Sequence, residues 1–223
     1  MGNWEKLVWN QRVNLLDGLL VTLEICCYAF IAAVVGGLAL CLVRLYVAPL
    51  RPIAIGLIEF FRSTPIYVQL LWVTYVWPEI FGWPTSFFTA GWVALGLQSS
   101  GYLAETFRAG LEAIPRGHTE AAASLGMSPP RIFARIMLPQ TLLATAPALI
   151  SQMAVIIKSS TLVSVITVAD LMFQSQKIVN RYYEPIEILT ATAAIYILII
   201  FCISWLGNLI ARILRTRLGL AVG

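Results

Sequence analysis

The feature that most limits the fold is a series of apolar runs, each about as long as a bilayer is thick. A helix needs roughly 20 apolar residues to cross the hydrocarbon core. Gly18 to Val43 is such a run, bounded by Asp17 and Arg44. Others cover residues 53–77, 87–107, 141–157 and 188–207. In lipid every backbone N–H and C=O must be satisfied within the chain, so runs of this kind fold as helices. Composition agrees, with 59% of residues hydrophobic and 12% charged, about half the charged fraction of a soluble domain. The expectation is an all-α integral membrane protein, one transmembrane domain over residues 1–223 with about five spans. A net charge of +4 is modest and calls for no nucleic acid; the partner it implies is membrane lipid.

Two stretches fit the scheme less simply. Trp77 to Ser86, reading WPEIFGWPTS, combines tryptophan, proline and glycine, as suits a turn at the membrane surface. From Thr141 to Phe173 the chain is too long for one straight span. Lys158-Ser159-Ser160-Thr161 interrupts it, and Leu162 to Phe173 is expected to dip into the membrane or lie on its surface.

Arginine placement orients the chain, because basic loops stay in the cytoplasm. With five spans one side collects Arg44, Arg51, Arg62, Arg108, Arg116, Arg131, Arg135, Arg212, Arg215 and Arg217. The other collects Lys6, Arg12, Lys158, Lys177 and Arg181. The carboxyl terminus is therefore expected inside and the amino terminus outside. No cleavable signal is visible, so the first span directs insertion. Cys26, Cys27, Cys41 and Cys202 all lie in apolar runs without metal spacing, and read as small buried hydrophobes.

Residues 112–139 are unlike the rest, with Glu120, Arg131 and Arg135 beside Gly126 and the pair Pro129-Pro130. Thr119 is a candidate cap for a helix that Gly126 would end. Ser128 and Pro129 suit the start of a second helix, with Ile132, Phe133, Ile136 and Met137 on one face and Pro139 closing it. Such a hinged pair either seals the bilayer edge or serves as a docking peg for a cytoplasmic partner.

The spacing here, Glu120-Ala121-Ala122, three residues, Gly126, nine residues, Ile136, one residue, Leu138-Pro139, resembles the EAA coupling loop of ABC importer permeases. GLLVTLEI (18–25), FFRSTPIYVQLLW (60–72), SGYLAETFRAGLEAIPRGHTEAA (100–122) and LVSVITVADL (162–171) are similar to the polar amino-acid branch, which serves histidine, glutamine, arginine and related solutes. The likeness covers residues 18–210. It implies a type I importer permease fold in a bacterial cytoplasmic (inner) membrane, with a coupling loop over residues 112–139. It further implies two cytoplasmic ABC ATPase subunits, a second permease and an extracytoplasmic solute-binding protein. The loop would seat in an ATPase groove, with Glu120 pairing to a basic residue there. No GxxxxGK[ST] phosphate loop is present, so ATP and Mg belong on the partner ATPase and no cofactor on this chain.

Ionisable and polar groups at membrane depth suggest function by default. Glu59 with Arg62, and Glu105 with Arg108, are three apart at the cytoplasmic ends of their runs and read as structural ion pairs. Glu24 reads as a helix-to-helix contact. Gln98, Ser99, Ser100 and Gly101 either permit close helix packing or line a path. Lys158 either snorkels outward or meets a carboxylate in that path. The resemblance places Gln98, with its neighbour Ser99, and Lys158, Ser159, Ser160 and Thr161 on the solute pathway, with Thr64 contributing from Ser63-Thr64-Pro65. The family commonly has Lys-Asp-Thr-Ser-Leu where this chain has Lys158-Ser159-Ser160-Thr161-Leu162. Serine accepts a hydrogen bond but cannot neutralise an ammonium. Three explanations stand: a second permease supplies the carboxylate, the solute lacks an ordinary primary amine, or the cavity reads little and selection rests with the external binding protein; the first, a heterodimer, is favoured over a homodimer.

Other functions fit less well. A secondary transporter needs midplane carboxylates and usually inverted repeats, yet Asp170 is the only acid between Glu120 and Glu184. An intramembrane enzyme needs a nucleophile with a base, or a metal set. The sole histidine, His118, sits in the loop, so no catalytic or metal residues are expected.

Overall fold

The structure is a computed structural model that describes residues 8–217, with side chains described to residue 213. Among the described residues every regular element is helical. In chain order they are α1 (Arg12–Tyr46), a 3-10 turn (Ala48–Leu50), α2 (Arg51–Ser63), α3 (Ile66–Leu71), a π turn (Trp72–Val76) and α4 (Trp77–Phe81). Then come α5 (Phe87–Glu112), α6 (Arg116–Ser124), α7 (Pro129–Ile132), a second π turn (Phe133–Met137) and α8 (Leu138–Ser160). A 3-10 turn (Thr161–Ile166), α9 (Leu171–Tyr182) and α10 (Pro185–Arg217) complete the chain.

Three helical stretches are long and apolar enough to cross a bilayer: Arg12–Tyr46, Pro129–Ile166 and Pro185–Ile213. They contain the expected runs 18–43, 141–157 and 188–207, and each extends beyond them. The other two expected spans depart from the simple picture. The run 53–77 is not one helix, because Thr64 is extended (φ −78°, ψ 127°) and separates α2 from α3. Pro65 explains this: it lacks an N–H and disfavours helical geometry in the residue before it. The run 87–107 does form one helix of 26 residues, α5. Gln98 to Gly101 dilute its apolar character at the middle. Ser86 starts it, accepting from the Thr89 N–H at 3.1 Å.

α1 and α5 form the centre of the bundle. Ala29, Ala33, Ala94 and Ala104 are buried there, which lets the two backbones approach. At Gly37 a Cβ would stand 2.8 Å from Leu103 Cβ and 3.0 Å from the Ser100 carbonyl oxygen. Outward faces of α1 and α10 carry large apolar side chains, among them Leu20, Ile31, Val35, Leu198, Phe201 and Trp205. Such faces suit lipid.

The stretch after Lys158 dips inward and does not lie on the surface. Val163, Ile166, Val168 and Leu171 are buried. From Leu171 the chain forms a helix through Tyr182, which the apolar pattern did not announce. Asp170 caps it, its carboxylate accepting from the Phe173 N–H at 2.9 Å. Hydrogen bonds clasp α9 on both sides. The Leu171 N–H donates to Thr22 Oγ1 on α1 at 3.0 Å. Ser175 and Thr192 hydroxyls meet at 2.6 Å, joining α9 to α10.

Cys26 and Cys41 are buried as expected, whereas Cys27 and Cys202 are exposed on their helices, and all four are free thiols. Of the basic residues used to orient the chain, Lys6 and the side chains of Arg215 and Arg217 lie outside the described residues.

Candidate functional site

The segment 112–139 is a hinged pair of helices, but its ends differ from those expected. α6 begins at Arg116, directly after Pro115, so Thr119 does not cap it. The Thr119 hydroxyl instead donates to the Arg116 carbonyl at 2.8 Å. Gly126 does end it, with φ +77°. The Gly126 N–H reaches the Ala123 carbonyl at 2.9 Å and the Met127 N–H reaches Ala122 at 3.2 Å. This is the paired closure that a left-handed residue makes after a helix. Ser128 stands at the cap position of α7 and Pro129 in its first turn, although the Ser128 side chain makes no cap bond.

Pro139 does not close the second helix. α7 runs through the π turn Phe133–Met137 straight into α8. A widened turn just before the proline takes up the break in the i→i−4 register that its missing N–H imposes. The second arm of the hinge is thus the start of a helical stretch reaching Ile166.

Sequence spacing had singled out Glu120, Ala121, Ala122, Gly126, Ile136, Leu138 and Pro139. Ala121, Ala122 and Ile136 come together on one groove of about 410 Å³, with His118, Leu125 and Gln140. His118 Nδ1 lies 3.0 Å from Gln140 Oε1, bracing α6 against α8. Glu120 points away into solvent and makes no ion pair among the described residues. Leu125, just before the hinge, is 83% exposed. Gly126 is exposed, with nothing within 4 Å of where a Cβ would stand, while Leu138 and Pro139 are half-buried at the root of α8.

The polar residues at membrane depth fall into two groups. Gln98 Nε2 donates to the Thr64 carbonyl at 3.4 Å, so α5 reaches the break between α2 and α3. Gln152 Nε2 on α8 donates to Ser99 Oγ at 3.1 Å. From adjacent positions on α5, Gln98 thus ties to the Thr64 break and Ser99 to Gln152 on α8. The second group closes the end of α8. Ser160 Oγ donates to the Ile157 carbonyl and Thr161 Oγ1 to the Lys158 carbonyl, each at 2.8 Å. Those two hydroxyls are engaged on their own backbone. Lys158 remains exposed and Ser159 half-exposed. No hydrogen bond links the two groups among the described residues, although the turn after Ser160 packs against α5.

Two glutamines were passed over in the sequence. Gln69 stands alone in an apolar run and Gln152 follows Ser151 in another, and an amide at such depth is itself a signal of function. Gln69 is 1% exposed, and neither atom of its amide has a partner among the described residues.

Both expected ion pairs are present, Glu59–Arg62 at 3.3 Å and Glu105–Arg108 at 2.8 Å. Glu105 also accepts from Arg44, and Arg108 reaches Glu112 at 2.7 Å. This cluster joins α1 to α5. Glu24 is exposed.

The exposed face of α8 differs from those of α1 and α10. It presents Ala144, Pro147, Ala148, Ser151 and Lys158, with Leu142 and Val155 as its exposed large apolar side chains. Small and polar groups gain little from lipid contact but allow another protein surface, or a solute, to approach.

Residues 18–218 match the family profile described as "Binding-protein-dependent transport system inner membrane component". The chain is 31% identical over 206 residues to the "Arginine transport system permease protein ArtQ" of Bacillus subtilis (strain 168), covering 91% of this chain and 93% of that one. It is 34% identical over 200 residues to a "Probable amino-acid ABC transporter permease protein" of Sinorhizobium fredii, covering 88% and 85%. Among solved structures it is similar to a chain of an amino acid ABC transporter crystallised with histidines, with TM-score 0.83, 35% identity and coverage of 95% and 99%. A methionine ABC transporter in an inward-facing conformation matches with TM-score 0.80 at 19% identity, a likeness of fold.

Proposed function

The chain belongs to the family of binding-protein-dependent transport system inner membrane components, and from that membership we propose that it is one membrane half of an ATP-driven importer of a polar amino acid or amino-acid-like solute. At the coarser level it is an ABC-transporter permease subunit of the amino-acid kind, an all-helical membrane component with the type I importer fold. Its likeness to these permeases does not favour an ion-coupled secondary transporter.

In this reading the hinged segment 112–139 faces the cytoplasm and seats on an ATPase subunit. The observation that carries it is the geometry at Gly126. A left-handed turn presents Glu120 and Leu125 to solvent beside a groove lined by Ala121, Ala122 and Ile136. A rigid second arm continues as α8, so a push on the hinge is delivered to the helix that carries Gln152 and Lys158. Two such ATPases bind ATP and Mg, and the carboxyl terminus lies inside with the amino terminus outside. A second permease packs against the small-residue face of α8 and completes the pathway, and a heterodimer suits the Ser159 position. An extracytoplasmic binding protein delivers the solute. Thr64, Gln98, Ser99, Lys158 and Ser159 line the path, with Ser160 and Thr161 shaping the helix end. Arginine and glutamine, which occur in the relatives' names, are the first solutes to test.

Co-expression with the ATPase tests the reading. The chain alone is expected to hydrolyse no ATP and to co-purify with the ATPase. Glu120→Lys is expected to cut that recovery about 10-fold while leaving membrane insertion intact, the effect of losing and then opposing one charge-assisted contact. Normal recovery and normal transport by Glu120→Lys refute the docking assignment.

A further inference from the structure

Gln69 sits on α3, within two turns of the break at Thr64-Pro65. α3 packs against α5 and against the 3-10 turn Thr161–Ile166. The helix that carries Gln69 therefore lies beside both the helix that carries Gln98 and the turn that follows Lys158. Its backbone N–H is satisfied by the Pro65 carbonyl at 3.0 Å. Its side-chain Nε2 and Oε1 are both buried and unpaired among the described residues. Leaving such an amide without a partner is unfavourable, and native proteins keep few of them.

α3 is also detached from α2. The extended Thr64 breaks the i→i−4 ladder before it, while the π turn Trp72–Val76 carries it on into α4. α3, the π turn and α4 can therefore pivot at Thr64-Pro65 as one arm without unwinding α2.

We propose that Gln69 is a solute-reading residue, whose amide binds the α-ammonium and α-carboxylate of an amino-acid zwitterion when α3 swings off α5. Nε2 donates to a carboxylate oxygen and Oε1 accepts from the ammonium, a division of roles that one primary amide satisfies. No covalent step is involved. Like Ser159, the amide offers the ammonium an acceptor and not a counter-charge. The proposal rests on the importer reading and names the part of the solute that is recognised.

The test uses the purified complex of this chain with its co-expressed ATPase and partner permease. Equilibrium dialysis measures Kd for radiolabelled arginine and glutamine, with agmatine as the decarboxylated analogue of arginine, and melting is followed in parallel. Gln69→Met keeps the unbranched shape, and Gln69→Leu is the second variant. Both are expected to weaken amino-acid binding about 10-fold, the effect of a hydrogen bond to a charged group. Preference for arginine over agmatine is expected to shrink alongside. Tm is expected to stay level or rise, because an unpaired buried amide has been replaced by an apolar chain. Unchanged Kd in both variants overturns the proposal while leaving the importer reading intact. A Tm several degrees lower in both variants, with Kd unaltered or unmeasurable, also overturns it, since the amide would then be structural. A wild-type complex that binds neither amino acid overturns the amino-acid reading itself, and this proposal with it.

Discussion

Replacing Gly126 separates backbone strain from steric contact. Its φ is +77°, and a Cβ built there meets nothing within 4 Å. The whole effect of Gly126→Ala is therefore conformational, about 1–2 kcal/mol for an L-residue in the left-handed region. Asparagine tolerates that region and costs less. Valine, branched at Cβ, costs more than alanine. Opposing the strain are two closing hydrogen bonds, from the N–H groups of Gly126 and Met127, together worth about 2 kcal/mol. Alanine therefore leaves the turn near balance, and valine opens it. A shift of about 1.4 kcal/mol is a tenfold change in the population of the closed hinge. The assay is ATP hydrolysed per solute moved in proteoliposomes, alongside recovery of the ATPase. Coupling is expected to fall in the order Gly, Asn, Ala, Val, with insertion unaffected. Wild-type coupling in Gly126→Val refutes the reasoning. Equal damage from Asn and Val refutes it differently, by showing that contact and not φ sets the requirement.

Two further changes test the bundle. Gly37→Ala places a methyl 2.8 Å from Leu103 Cβ and is expected to destabilise by about 1–3 kcal/mol, read as a lower Tm with a thiol-reactive dye in a background carrying Cys27→Ser and Cys202→Ser, where labelling reports exposure of Cys26 and Cys41. Gly56→Ala is the control: nothing lies within 4 Å of its Cβ, so stability is expected to hold or rise by about 0.5–1 kcal/mol. Glu105→Gln removes the carboxylate shared by Arg44 and Arg108, whose side chains are 21% and 29% exposed. A loss of about 1–3 kcal/mol is expected, between the values for surface and buried pairs, against less than about 0.5 kcal/mol for the more exposed Glu59→Gln.

The helices α1 and α10 were legible because nothing in their runs conflicts with a continuous apolar helix. The run 53–77 misled because hydropathy is blind to backbone continuity. Pro65 announced the break, but an average over side chains conceals a missing N–H. Pro139 misled in the opposite sense, since a proline read as a stop is accommodated where a π turn precedes it. α9 was hidden by its mixed sequence, LMFQSQKIVNRY, although Asp170 was a readable cap. At the candidate site, motif spacing located the hinge glycine and the residues that share a groove. It did not reveal that Ser160 and Thr161 turn their hydroxyls onto their own backbone, because polarity in a sequence does not tell an outward donor from an inward one. The importance of Gln152 and Gln69 depends on what faces them across the bundle, and only the packed helices establish that.

The clasp between Thr22 and Leu171 bears on biogenesis. Its two halves are 149 residues apart in the chain. During synthesis the first span enters the bilayer long before Leu171 exists, and until then the Thr22 hydroxyl is held only by its own helix, donating to the Gly18 carbonyl at 3.0 Å. Any product cut short before residue 171 lacks the clasp altogether.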